Sequence, residues 1–305
     1  MGKELGYVWM MPKGAAFQEL TAKIKEWPDT RALIDVIGFA DHGLYNLYSD
    51  ATLRNGFAAL NESGLPLALE VGAVKEWENG RLGSFREQKP MWDKFISLGA
   101  NIFGIAMDEP LVNVLAYDKY DYLGDIEAKF EYAVERTALF IKKVREDYPH
   151  WVIGDIEVFP HFTADFVIRW IDALEARLKK KGIKGQDFFR MDVNWAAFTS
   201  KNFTWEQGWL EVKRIEDHCR SIGMPFSQIY WAADVPGSQE LKDDPASWFN
   251  GIMHMGQGYR EAGGIPDQYV IETWIGLPEK SLPETDPHSF TYSVVEFSKQ
   301  FIPRK

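Results

Sequence analysis

The chain has 305 residues, 46% of them hydrophobic, and a formal net charge of -11. That much apolar material supports a sizeable core, in one large domain or two small ones. An acidic chain without a block of Lys or Arg suits neither nucleic acid nor an anionic membrane surface, and its one cysteine, Cys219, excludes an intramolecular disulfide and a cysteine-based zinc site.

No apolar run approaches the ~18 residues of a membrane span. The opening MGKELGYVWM has no secretory h-region and leads at once into a strand pattern. The expectation is a soluble protein, either cytoplasmic or exported after loss of a signal segment.

In chain order, short β-branched or aromatic runs alternate with longer runs of helical period. LGYVWM (5–10) reads as a strand, followed by a helix over 17–27. LIDVIGF (33–39) leads to a helix over 51–63, with Asp50 as N-cap and Gly64 just past its end. LPLALEV (65–71) leads to a helix over 91–99, and IFGIAM (102–107) to one over 125–147. WVIGDIE (151–157) precedes a helix over 163–181 that starts at the cap residue Thr163. FFRMDVNW (188–195) precedes a helix over 205–222. FSQIYWA (226–232) precedes a run over 244–263 that Gly251, Gly256 and Gly258 weaken. QYVIETW (268–274) and a helix over 291–301 close the pattern.

Eight strand–helix units predict an α/β fold, a single (β/α)8 TIM barrel over residues 1–305, in which helices cover a closed parallel sheet. A doubly wound sheet is the alternative, but the first βα turn, WMMPKGAAF, has no G-x-G-x-x-G. Loop lengths agree with the barrel. Helix-to-strand connections such as WPDTR, ESG and SIGMP are terse. Strand-to-helix connections such as DEPLVNVLAYDKYDYLG are long, and that face carries the site in such barrels.

The C-terminal ends of the strands are rich in acids. They carry Glu70 on strand 3, Asp108 and Glu109 on strand 4, Asp155 and Glu157 on strand 5, Asp192 and Asn194 on strand 6, and Glu272 on strand 8. Alternation puts Asp155 with Glu157, and Asp192 with Asn194, on shared faces. Each acid singly has a structural alternative, a helix cap or a pair with Arg31, Arg54 or Arg190. As a cluster they suit three chemistries: glycoside hydrolysis by paired carboxyls, a divalent-metal sugar isomerase or hydrolase, and carbohydrate binding without turnover. Of six histidines only His42 and His161 follow strands, and they form no ligand pair, so no metal or other cofactor is expected. Aromatics on the same side favour a sugar, whose C–H faces stack on rings. Trp195, Trp231 and Trp274 adjoin strand-end polar groups, with Tyr45 and His161 as further candidate contacts.

The strand-4 end, apolar–Asp108–Glu109–Pro110, resembles the Asn-Glu-Pro signature of the barrel glycosidase clan that includes cellulases, mannanases and β-galactosidases. The resemblance implies that Glu109 is the acid/base. The sequence departs from the clan at Asp108, where the clan has Asn, and at strand 7, which has no Glu for a nucleophile. Glu272 is then the first choice as nucleophile or general base, with Glu157 and Asp192 as substitutes. Asp108, Asp155, Asn194 and Glu70 would hold sugar hydroxyls or tune the acid. Adjacent Asp108 and Glu109 also resemble the pair of substrate-assisted hexosaminidases, which would imply an N-acetyl sugar. The expected partner is a carbohydrate; oligomeric state is open.

Overall fold

A computed structural model of the chain describes residues 5–75, 83–194, 203–231 and 245–303. Eight strands form: β1 Val8–Met11, β2 Val36–Ala40, β3 Leu67–Val71, β4 Ile102–Asp108, β5 Val152–Phe159, β6 Phe188–Val193, β7 Phe226–Tyr230 and β8 Gln268–Glu272. Each pairs in parallel with its neighbours in sequence, and β8 closes onto β1, so the sheet is a complete (β/α)8 barrel. All eight predicted strands are present.

The helices follow the expected alternation with local differences. The run over 17–27 breaks into a helix at Phe17–Ala22 and a 3-10 turn at Ile24–Glu26. Pro28 then starts a separate helix, Pro28–Leu33, within what reads as a terse connection. Asp50 is the first helical residue; the cap is Ser49, whose hydroxyl accepts from the Thr52 N–H. Gly64 has φ 73°, the left-handed conformation expected just past that helix. Thr163 caps its helix as predicted, accepting from the Phe166 N–H. Two short helices absent from the sequence reading, Asp41–Leu47 and Pro110–Leu115, follow β2 and β4 directly. No helix among the described residues is long and apolar enough to cross a membrane.

Which strand residues face inward decides what the site contains. Trp9, Met11, Val36, Ala68, Ala106, Ile156, Phe188, Ile229, Trp231 and Val270 pack together inside the barrel. Their strand neighbours, among them Met10, Leu69, Met107, Ile153, Met191, Tyr230 and Ile271, belong to the larger core shared with the helices. At the lower end of the interior the Trp9 ring meets Phe103 and Phe188 edge-on, at centroid separations of 6.0 and 5.6 Å. Glycine makes this filling achievable. A Cβ on Gly154 would lie 2.0 Å from the Phe188 ring, and one on Gly104 2.3 Å from the Val152 carbonyl oxygen. The barrel floor is therefore packed with rings rather than open.

Candidate active site

By this alternation, Glu70, Asp108, Asp192, Trp231 and Glu272 continue the inward-facing rows of β3, β4, β6, β7 and β8. They gather at the C-terminal mouth of the barrel and form an acidic cup.

Glu109 joins them by a backbone device. It has φ 51° and ψ 50°, a left-handed conformation. No other non-glycine residue described has positive φ. An extended Glu109 would follow Met107 outward; the reversal instead sets its carboxyl beside Asp108, Lys75 and Glu70, whose charges act on it. The turn is pinned from both sides. The Glu109 N–H donates to the Ile156 carbonyl at 3.0 Å. Its carbonyl accepts from the Asn113 N–H at 2.9 Å and from Asn113 Nδ2 at 2.8 Å. Left-handed backbone in a residue with a Cβ costs about 1–2 kcal/mol and persists where its surroundings over-determine it.

The electrostatics follow from burial and crowding. Burial, then repulsion from Asp108, pushes the Glu109 carboxyl up to about 7. The same two causes push Glu70 up to about 7. Asp108 is held by an ion pair with Lys75. Burial disfavours the Lys75 ammonium, yet Asp108, Glu109 and Glu70 together keep its pKa above the ordinary value. Asp192 is buried and accepts from Trp231 Nε1 at 2.5 Å. Burial and then the charge of Glu109 raise it well above the carboxylate range. Glu272 is raised too, by burial and then by the neighbouring charge of Glu70. The pair titrates as a unit. No donor among the described residues reaches the buried Glu272 Oε2.

Beneath this pair lies Arg190, wholly buried on β6. Its guanidinium stacks over Trp9 at 4.3 Å from the ring centre, and its Nε donates to Ser227 Oγ at 2.9 Å. Burial lowers its pKa to about 10, while the charges of Glu272 and Glu70 oppose that shift. Above the cup Trp274 lies against Trp231, with ring centres 4.0 Å apart, and 49% of it is exposed. Asn194 extends β6 by one residue, its N–H donating to the Phe159 carbonyl.

Several expected site residues lie elsewhere. Asp155 and Glu157 do share a face, but it is the outward one. Glu157 accepts from the N–H groups of Leu111, at 2.6 Å, and Val112, at 3.3 Å, and so caps the helix that begins just after Glu109. Asp155 accepts from Trp170 Nε1 at 2.7 Å in the helix layer. Neither carboxyl opens into the cup. Tyr45 packs on Phe95 and Lys94 in the last turns of the helix Gly83–Ser97, away from the mouth. His161 is exposed beyond β5 and touches the Phe162 ring. Trp195 falls outside the described residues. Tyr120, in the segment after β4, is buried and donates its hydroxyl to the Val74 carbonyl at 2.6 Å.

Two functional candidates escape the sequence reading. Lys75 sits four residues past β3 in a loop that Gln88 clamps by bonding both the N–H and carbonyl of Gly72. Arg190 entered that reading only as a structural counter-ion. A lone cation in a loop or strand carries no spacing signal, and only the closed barrel brings either to the acids. His42, on the rim, is held near Asp41, whose Oδ2 accepts from Trp92 Nε1 at 2.8 Å. The Asp41 hydrogen bond raises its pKa, with Glu70 adding to the effect and Lys75 opposing it. Among the described residues no His, Cys, Asp and Glu group has the geometry to hold a metal ion.

No protein-family model and no curated protein sequence matches the chain. Solved structures with the same architecture do. GH5_18 from Streptomyces cattleya, in complex with GlcNAc, superposes with a TM-score of 0.52 at 10% identity, over 98% of this chain and 81% of that one. A D-psicose 3-epimerase solved with D-fructose gives 0.50 at 13% identity, over 96% and 99%. At these identities the likeness is one of fold: the chain is a (β/α)8 barrel with a carboxyl-lined cup at the face where such barrels place their chemistry.

Proposed function

We propose that the protein is a glycoside hydrolase that uses two carboxyls, with Glu109 as its general acid. The observation that carries this reading is Glu109 itself, turned inward by a left-handed backbone into a ring of carboxyls, with its own pushed up to about 7. A carboxyl that stays substantially protonated at neutral pH has a proton to give to a glycosidic oxygen. The second carboxyl comes from the same cup, with Glu272 as first choice and Asp192 as the alternative. Arg190 below Glu272 and Glu70 favours one negative charge on that pair. Asp108, Glu70 and Asn194 are assigned to sugar hydroxyls, and Trp274 and Trp231 to a sugar face. The ion pair of Lys75 with Asp108 favours this two-carboxyl reading over a substrate-assisted one, because the Asp is already engaged.

The test is product analysis over a broad panel of poly- and oligosaccharides. Wild type is expected to release sugar, to keep doing so in EDTA, and to lose about 10²–10⁴-fold of its rate on Glu109→Gln while still binding substrate. Near-wild-type hydrolysis by that variant removes Glu109 from the role. Sensitivity to EDTA points instead to a metal enzyme, and binding without any product to a carbohydrate-binding barrel.

A further inference from the structure

The cup crowds carboxyls together. Five carboxyls, those of Glu70, Asp108, Glu109, Asp192 and Glu272, act on one another there. Among the described residues two cations sit with them. Lys75 is ion-paired with Asp108, and Arg190 lies sealed one layer deeper against Trp9. Glu109 and Asp192 have no cation of their own among the described residues. Glu272 is 5% exposed, and no donor is aimed at its Oε2. A buried carboxyl oxygen left without a donor is costly, so a strand end that retains one is matched to a donor from outside the protein.

Resting on the reading of the cup as a sugar site, we propose that its substrate is a sugar bearing a free ammonium group, a 2-amino-2-deoxy sugar or a polymer of such units. An ammonium has three donors and no acceptor. It would supply the donor that Glu272 Oε2 lacks and place a positive charge between Glu272 and Asp192. It would also offset the repulsion that keeps these carboxyls protonated. A neutral sugar hydroxyl supplies a donor but no charge, and a uronate adds one more negative group. The net charge of -11 acts in the same direction at longer range, drawing a cationic chain toward the mouth.

The test uses Glu109→Gln protein, so that turnover does not interfere, and reads binding by isothermal titration calorimetry. The probes are glucosamine, galactosamine and mannosamine, each compared with its N-acetyl form and its neutral parent sugar. In at least one matched set the free amine is expected to bind about 10-fold more tightly at low salt, with the advantage narrowing as ionic strength rises. Asp192→Asn, which keeps an oxygen to accept from Trp231, is expected to cut that preference at least threefold. Equal or weaker binding of the amine in all three sets overturns the proposal, as does a preference that Asp192→Asn leaves intact. Hydrolysis of neutral sugars alone would overturn this inference and leave the glycosidase reading standing. An amine preference with no product from any wild-type digestion would do the reverse.

Discussion

Glu109 carries two conditions in one residue, an awkward backbone and an awkward charge. The backbone condition is tested by comparing two truncations. Glu109→Ala keeps a Cβ in left-handed space, whereas Glu109→Gly does not. Chemical denaturation should find the glycine variant more stable by about 1 kcal/mol; the reverse order would mean that the conformation is unstrained. The charge condition has a definite sign. The carboxyl has its pKa raised from 4.5 to about 7 in the folded state, so the native protein binds the proton more tightly than the unfolded chain. Its contribution to stability is best below about 4.5 and declines as pH rises toward 7. Glu109→Gln removes the carboxylate, so its melting temperature should exceed wild type by more at pH 8 than at pH 4.5. A gain independent of pH would show that burial of the charge is not the cause. For catalysis the same shift predicts a rate that falls above about pH 7, as the acid loses its proton.

At the scale of elements, the helix Pro110–Leu115 holds Glu109 in place, and Glu157 holds that helix. Its carboxyl accepts from two N–H groups at the helix start that would otherwise lack a partner. Glu157→Gln retains one acceptor oxygen and should keep most activity, with a modest loss of stability. Glu157→Ala leaves both buried donors bare and should cost about 2–4 kcal/mol. Loss of all turnover by the Gln variant, with a normal melting temperature, would return Glu157 to the catalytic pair. The sequence made Glu157 attractive because it shows which residues share a face and not which face that is. Strands of a parallel barrel are buried on both sides and read as continuous apolar runs, so alternation lacks the polar–apolar contrast that separates inside from outside. The short helices after β2 and β4 were illegible for a related reason. Six or seven residues do not complete two turns, and PLVNVL has no polar face to mark a period.

At the scale of the molecule, the eight-unit pattern was legible because long helices between short strands repeat a contrast of period along the chain. The address of the site was legible with it: Glu70, Asp108, Glu109, Asp192 and Glu272 all reach the cup. Their order around the ring is set by closure. β4 and β8 stand opposite each other in an eight-stranded barrel. If Glu272 is the second catalytic carboxyl, that separation suits a water between it and Glu109 and predicts inversion at the anomeric carbon. NMR of the first product anomer decides this; retention would transfer the role to a carboxyl nearer Glu109, Asp192 or Glu70.

The rings of Trp9, Phe103 and Phe188 fill the barrel's lower end, with Arg190 sealed above them. Among the described residues the floor of the cup is closed to whatever enters it. On the glycosidase reading, a cleaved sugar leaves through the mouth by which the next molecule arrives, past Trp274. The released fragment is then a competitor for its own precursor, and progress curves should slow through product inhibition well before substrate is exhausted.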